Sequence, residues 1–78
     1  MNKWVPITEE RYDEMLGVLP PASRSGNAFQ VGEPTDHRNG RPTFASFKRV
    51  GDQYFESEES LTFAEFKAEF PLAEWYGC

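Results

Sequence analysis

Apolar residues recur along this chain at two spacings, one helical and one alternating, and turn residues separate the runs. From Ile7 to Gly17, Tyr12, Met15 and Leu16 fall at i, i+3 and i+4, which predicts a helix at about residues 9 to 17. Thr8 supplies a capping hydroxyl, Glu9 and Glu10 complement the dipole, and Ile7 with Tyr12 has hydrophobic-staple spacing. Gly17 ends that element ahead of Pro20 and Pro21. Near the other end, Thr62 and Glu65 form a capping box, Leu61 and Phe66 a staple, and Phe63, Phe66 and Phe70 recur at helical spacing until Pro71.

Between the helices the pattern changes to alternation. Phe29 and Val31 share one face of a strand, Asn39-Gly40 is a hairpin turn signal, and Gly51-Asp52 joins a strand at 43–50 to another at 53–57. Pro34 and Pro42 lack ladder donors, so the first turn is also compatible with the tip of a long irregular loop. The expected fold is α+β: a three-stranded antiparallel β-meander flanked by an N-terminal and a C-terminal helix, in the order α-β-β-β-α. Parity places Ala45 and Phe47 toward the helices with Phe29 and Val31, and puts Phe44 on the opposite face. Tyr54 and Phe55 also diverge, so one sheet face carries aromatics that either a partner or Trp4 and Trp75-Tyr76 must cover.

Length and charge narrow the function classes. Seventy-eight residues make one domain, 1–78, of a size that buries about 60% of its unfolded surface, and 15% aromatic content enlarges a small core. Cys78 is the sole cysteine, which excludes an intramolecular disulfide and a thiolate metal site and makes it an adventitious oxidation site at most. The start of the chain lacks a signal-peptide apolar run, and no segment reaches the roughly 20 apolar residues that span a bilayer. A cytoplasmic protein is expected. The net charge of -5 is uneven. Residues 24–49 hold Arg24, Arg38, Arg41, Lys48 and Arg49 against Glu33 and Asp36, whereas residues 50–78 hold Lys67 against seven acids. The molecule is electrically two-sided.

Catalytic constellations are weak. Glu33, Asp36 and His37 offer three potential metal ligands in five residues, but with one His and one remote Cys no metal is expected. Ser23, Ser25 or Ser46 with His37 makes no nucleophile elbow, and Glu58-Glu59 has no apolar surroundings to raise a pKa. Gly26, Gly32, Gly40 and Gly51 are isolated and open no phosphate-cradling helix, so no cofactor is expected. The chain reads as a non-enzyme.

Three runs carry a resemblance: Tyr12-Asp-Glu-Met-Leu-Gly-Val-Leu-Pro-Pro21; Phe29-Gln-Val-Gly-Glu-Pro-Thr-Asp-His37 with Gly40-Arg-Pro-Thr-Phe-Ala-Ser-Phe47; and Tyr54-Phe55 with Leu61-Thr-Phe-Ala-Glu-Phe66. Over about residues 11–70 the chain resembles small uncharacterised proteins of proteobacterial plasmids, prophages and phages, a domain-of-unknown-function group. The resemblance implies no catalytic residue. It implies a genomic setting in which small acidic accessory proteins are often inhibitors of host defence, including anti-CRISPR and anti-restriction proteins.

The expected function is a small protein-binding module that inhibits or modulates a host nucleic-acid-handling complex. Its expected charge donors are Glu9, Glu10, Asp13 and Glu14 or Glu56, Glu58 and Glu59, with Phe44 or Tyr54 as an anchor. The alternative is a nucleic-acid-binding accessory protein using the basic hairpin 38–49 through Arg38, Arg41, Lys48 and Arg49.

Overall fold

The computed structural model describes residues 3–18 and 20–76. In chain order the elements are β1 (Trp4–Ile7), α1 (Glu9–Val18), β2 (Ser23–Ser25), β3 (Ala28–Arg38), β4 (Arg41–Val50), β5 (Gln53–Ser57), α2 (Phe63–Glu69) and β6 (Glu74–Trp75). All six strands form one antiparallel sheet in the order β1-β5-β4-β3-β2-β6.

This overturns the three-stranded meander flanked by helices, although the broader α+β class holds. The additional strands are β1, β2 and β6, with four, three and two residues. None has room for a readable alternation, and β1 contains Pro6. Tertiary pairing makes them strands: Trp4–Ile7 lies along Tyr54–Ser57, and Ser23 is held between Gln30 and Trp75.

The turns follow their residues. Asn39 and Gly40 both have positive φ, 55° and 78°, as a two-residue hairpin with right-handed strand twist requires, so Arg38 faces Arg41 in register. The long irregular loop is therefore not formed. Pro34 is accommodated because β3 changes register on both sides of it, between Gln30 and Pro34 and between Pro34 and Asp36. Gly32 lies where another backbone approaches: a Cβ there would stand 2.2 Å from the carbonyl oxygen of Pro20.

The helices do not share a face of the sheet. Tyr12 of α1 packs with Phe29, Val31 and Phe47, joined by Ile7, Met15, Leu16, Ala45 and Tyr54. Phe66 of α2 packs with Ala28 and Ala73, joined by Phe63 and Phe70. Ala28 and Phe29 are consecutive strand residues, so their clusters lie on opposite sides. The expectation that both helices cover Phe29 and Phe47 is thus corrected. The aromatics on the other face are covered within the chain: Phe44 is 1% exposed, bridges Leu61 and meets the Trp75 ring at 5.6 Å.

Both helix starts are built as the local sequence specifies. The Arg11 amide donates to Thr8 Oγ1 at 3.1 Å. Thr62 and Glu65 form a complete reciprocal capping box. After α2, Lys67 Nζ donates to the carbonyls of Pro71 and Ala73, both at 3.1 Å, tying down the turn that leads into β6.

Candidate functional site

The acidic residues of α1 form the most outward-facing of the predicted sites. Glu9, Glu10, Asp13 and Glu14 are all exposed. Glu9 accepts a hydrogen bond from the Tyr54 hydroxyl at 3.1 Å. Glu10, Asp13 and Glu14 have no hydrogen-bonded or ion-paired side-chain partner among the described residues. Arg11, the one cation of this helix, instead turns to the sheet and pairs with Glu56 at 3.0 Å, with its guanidinium 5.9 Å from the Phe47 ring centre. That hydrogen bond and the Glu56 charge raise the Arg11 pKa further.

The second predicted acidic cluster is divided. Glu56 is half-buried and satisfied by Arg11, whereas Glu58 and Glu59 lie exposed beyond β5. Glu59 comes within 4.0 Å of Arg38. Glu56 therefore belongs with α1 and Glu59 with the hairpin end, while the Glu58 amide donates to the Lys3 carbonyl at 2.8 Å beside β1.

Two predicted anchors are internal. Phe44 is a core residue, because its backbone bridge to Leu61 and its contact with Trp75 seal it under α2 and β6. Tyr54 is half-buried, lies 5.0 Å from the Tyr12 ring and is held by Glu9; burial first, then that hydrogen bond, raises its pKa. The exposed aromatics are Trp75 and Tyr76, at 45% and 58%.

The four cations of the alternative site do not make one patch. Arg38 and Arg41 flank the hairpin turn, and Lys48 begins about 23 Å further along β4 at strand rise. Lys48 and Arg49 then point to opposite faces. Lys48 Nζ sits between the Trp4 and Phe55 rings, at 4.6 and 5.5 Å. Arg49 lies 5.8 Å from the Tyr54 ring and donates to the Gly51 carbonyl at 2.8 Å. Arg38 donates to Glu65 and to the Ser60 carbonyl. Only Arg41 of the four has no such engagement among the described residues.

His37 is exposed and pairs across the hairpin with Pro42. With Asp36, Arg38, Thr43, Glu59 and Ser60 it lines a polar cleft of about 260 Å3. The Thr43 hydroxyl is buried there without a hydrogen-bond partner. Ser23 and Ser46 are not beside His37; both hydroxyls bond to the Gln30 amide inside the sheet, at 2.8 and 3.1 Å. Among the described residues no group of three His, Cys, Asp or Glu side chains is placed to hold a metal ion, and no helix is long and apolar enough to cross a membrane. Cys78 lies outside the described residues.

A second concavity, of about 320 Å3, is lined by Arg41, Pro42, Phe44, Thr62, Phe63, Ala64 and Trp75. Its walls come from β4, the start of α2 and β6, and the two-residue β6 is too short to be read from alternation, so the concavity is not legible in the residue pattern. The chain matches no protein-family model, no curated protein and no solved structure.

Proposed function

We propose that this chain is a non-enzymatic protein-binding module whose α1 surface presents Glu10, Asp13 and Glu14, with Glu9 beside them, to a basic surface on a host protein. In the genomic setting implied by the resemblance, that partner belongs to a nucleic-acid-handling defence complex, and the binding inhibits it in the anti-CRISPR or anti-restriction manner. The observation that carries this reading is the unequal use of charge. Arg11, Arg38, Lys48 and Arg49 are engaged by carboxylates, carbonyls or rings of this chain, while Glu10, Asp13 and Glu14 have no hydrogen-bonded or ion-paired partner among the described residues. A surplus of uncompensated acids on a rigid helix favours encounter with a basic groove and opposes approach to a nucleic-acid backbone.

The test combines capture from the native host with a charge reversal. Once a partner is identified, the triple substitution Glu10→Lys, Asp13→Lys and Glu14→Lys should weaken its binding by at least about tenfold at low salt while leaving the thermal melt unchanged. Equal affinity of the parent and the reversed protein rejects the acidic surface. A gel shift of labelled single-stranded DNA or RNA by the parent protein at low salt would replace this reading with direct nucleic-acid binding.

A further inference from the structure

We propose that the concavity between the hairpin tip, the start of α2 and β6 is a binding site for a small planar aromatic carboxylate of one or two fused rings. It lies on the α2 side of the sheet, away from the acidic α1 surface, and does not depend on the function proposed for that surface.

The walls provide the ring contacts. Trp75 packs at a tilt against Phe44 and Phe63, with ring centres 5.6 and 5.1 Å apart and interplanar angles of 57° and 55°. Those contacts hold the indole in place, yet Trp75 remains 45% exposed. Pro42 on the hairpin and Ala64 on α2 form the opposing banks. A volume of about 320 Å3 lies at the lower end of the roughly 300 to 1,000 Å3 range of small-molecule sites, which suits a ligand of one or two rings.

Charge selects the second half of the ligand. The chain carries 13 acidic residues, yet none lines this concavity. Its one charged lining residue is Arg41, an exposed guanidinium with no hydrogen-bonded or ion-paired partner among the described residues. The contrast with Arg38, its partner across the strand pair, is direct: Arg38 donates to Glu65 and the Ser60 carbonyl and lies 4.0 Å from Glu59. Glu65 is therefore already neutralised, and Arg41 is left to offer a planar, two-pronged donor set matched to a carboxylate. An anion meets a local cation here on an otherwise acidic molecule. The neighbouring rings favour a flat substituent.

The test is a titration of the whole chain with 2-naphthoate, followed by amide and indole resonances in two-dimensional NMR. Saturable shifts confined to Arg41, Thr62, Phe63, Ala64 and the Trp75 indole support the site. Arg41→Gln should weaken 2-naphthoate by about tenfold, as expected for loss of a charge-assisted pair, with an unchanged melt. The neutral 2-naphthamide should bind the parent protein with the same deficit. Ala64→Leu, at an exposed lining position, should block the site without removing a core ring. No saturable shift up to about 5 mM 2-naphthoate, or equal binding of acid and amide, overturns the proposal. So does capture of a peptide ending in a Trp carboxylate without capture of the free acid, which would make the groove a protein-docking site.

Discussion

On the α1 side of the sheet, Phe29 and Phe47 lie stacked 5.2 Å apart beneath Tyr12, while one residue further along the same strands Gln30 and Ser46 face α2. The first side is an apolar cluster whose one buried hydroxyl, on Tyr12, donates to the Asn27 carbonyl at 2.6 Å; burial raises its pKa. The second side encloses a polar row. Ser23 Oγ donates to Gln30 Oε1 at 2.8 Å, and Gln30 Nε2 donates to Ser46 Oγ at 3.1 Å and to the Leu61 carbonyl at 3.0 Å. Ser46 in turn donates to the Phe44 carbonyl at 3.1 Å. Apolar burial is non-directional and asks only that the rings stay on their face and remain packed, whereas this row has its donors and acceptors matched at one alignment of β2, β3, β4 and the Leu61 bridge. The α1 side thus supplies cohesion, and the α2 side fixes register.

The largest expected effect tests cohesion. Phe47→Ala removes a ring that is fully buried and should cost about 3 to 5 kcal/mol, enough to leave so small a domain largely unfolded at room temperature. Loss of a cooperative near-ultraviolet transition is the readout. A folded Phe47→Ala protein would mean that the apolar side is dispensable. Register is tested by Gln30→Leu, which strands the Ser23 hydroxyl at about 1 to 3 kcal/mol and takes from the Leu61 carbonyl one of two donors, the Phe44 amide remaining at 2.8 Å. Urea unfolding measures it, and adding Ser23→Ala should recover part of the loss by removing one stranded group. Full additivity would sink the idea of a connected row. Next in size is Gly32→Ala, because its methyl would collide with the Pro20 carbonyl and force a backbone to move, at about 1 to 3 kcal/mol.

The same division explains what the amino-acid sequence disclosed. Thr8, Thr62 with Glu65, and Asn39-Gly40 encode their structures within a few residues, so α1, the start of α2 and the hairpin tip were legible. The row from Ser23 to Ser46 was not, because Ser23-Arg24-Ser25 reads as loop composition until Gln30 and Trp75 pair on either side of it. Helix placement failed for a related reason. Alternation assigns Phe44 and Phe47 to opposite faces but does not say which helix crosses to which, and β1 and β6 carry the connections that decide it. For the candidate sites, exposure of the α1 acids was legible from the helix pattern. The engagement of Arg38 and Lys48 within the chain, and the burial of Phe44, depend on contacts with Glu65, Trp4, Leu61 and Trp75 that lie far away in the chain.

The smallest effect sharpens the comparison at the point where the α2 side meets the hairpin. The Thr62 amide donates to the Glu65 carboxylate at 3.0 Å, and this bond, with help from Arg38, lowers the Glu65 pKa below the usual 4.5 against the opposing effect of burial. A carboxyl with a depressed folded pKa adds stability that is complete above its unfolded value and disappears as pH falls through the folded one. Its side chain is 42% exposed, so solvent screening holds the contribution to below about 1 kcal/mol. Glu65→Gln keeps a capping-box acceptor but removes the charge. Its urea midpoint should lie slightly below that of the parent near about pH 7, and the gap should close well below the ordinary carboxylate range. Other acids titrate in both proteins and cancel in the difference. A gap that persists in acid would assign Glu65 a packing role in the cap, and the charged link between α2 and Arg38 would then contribute nothing to holding the hairpin against the second face.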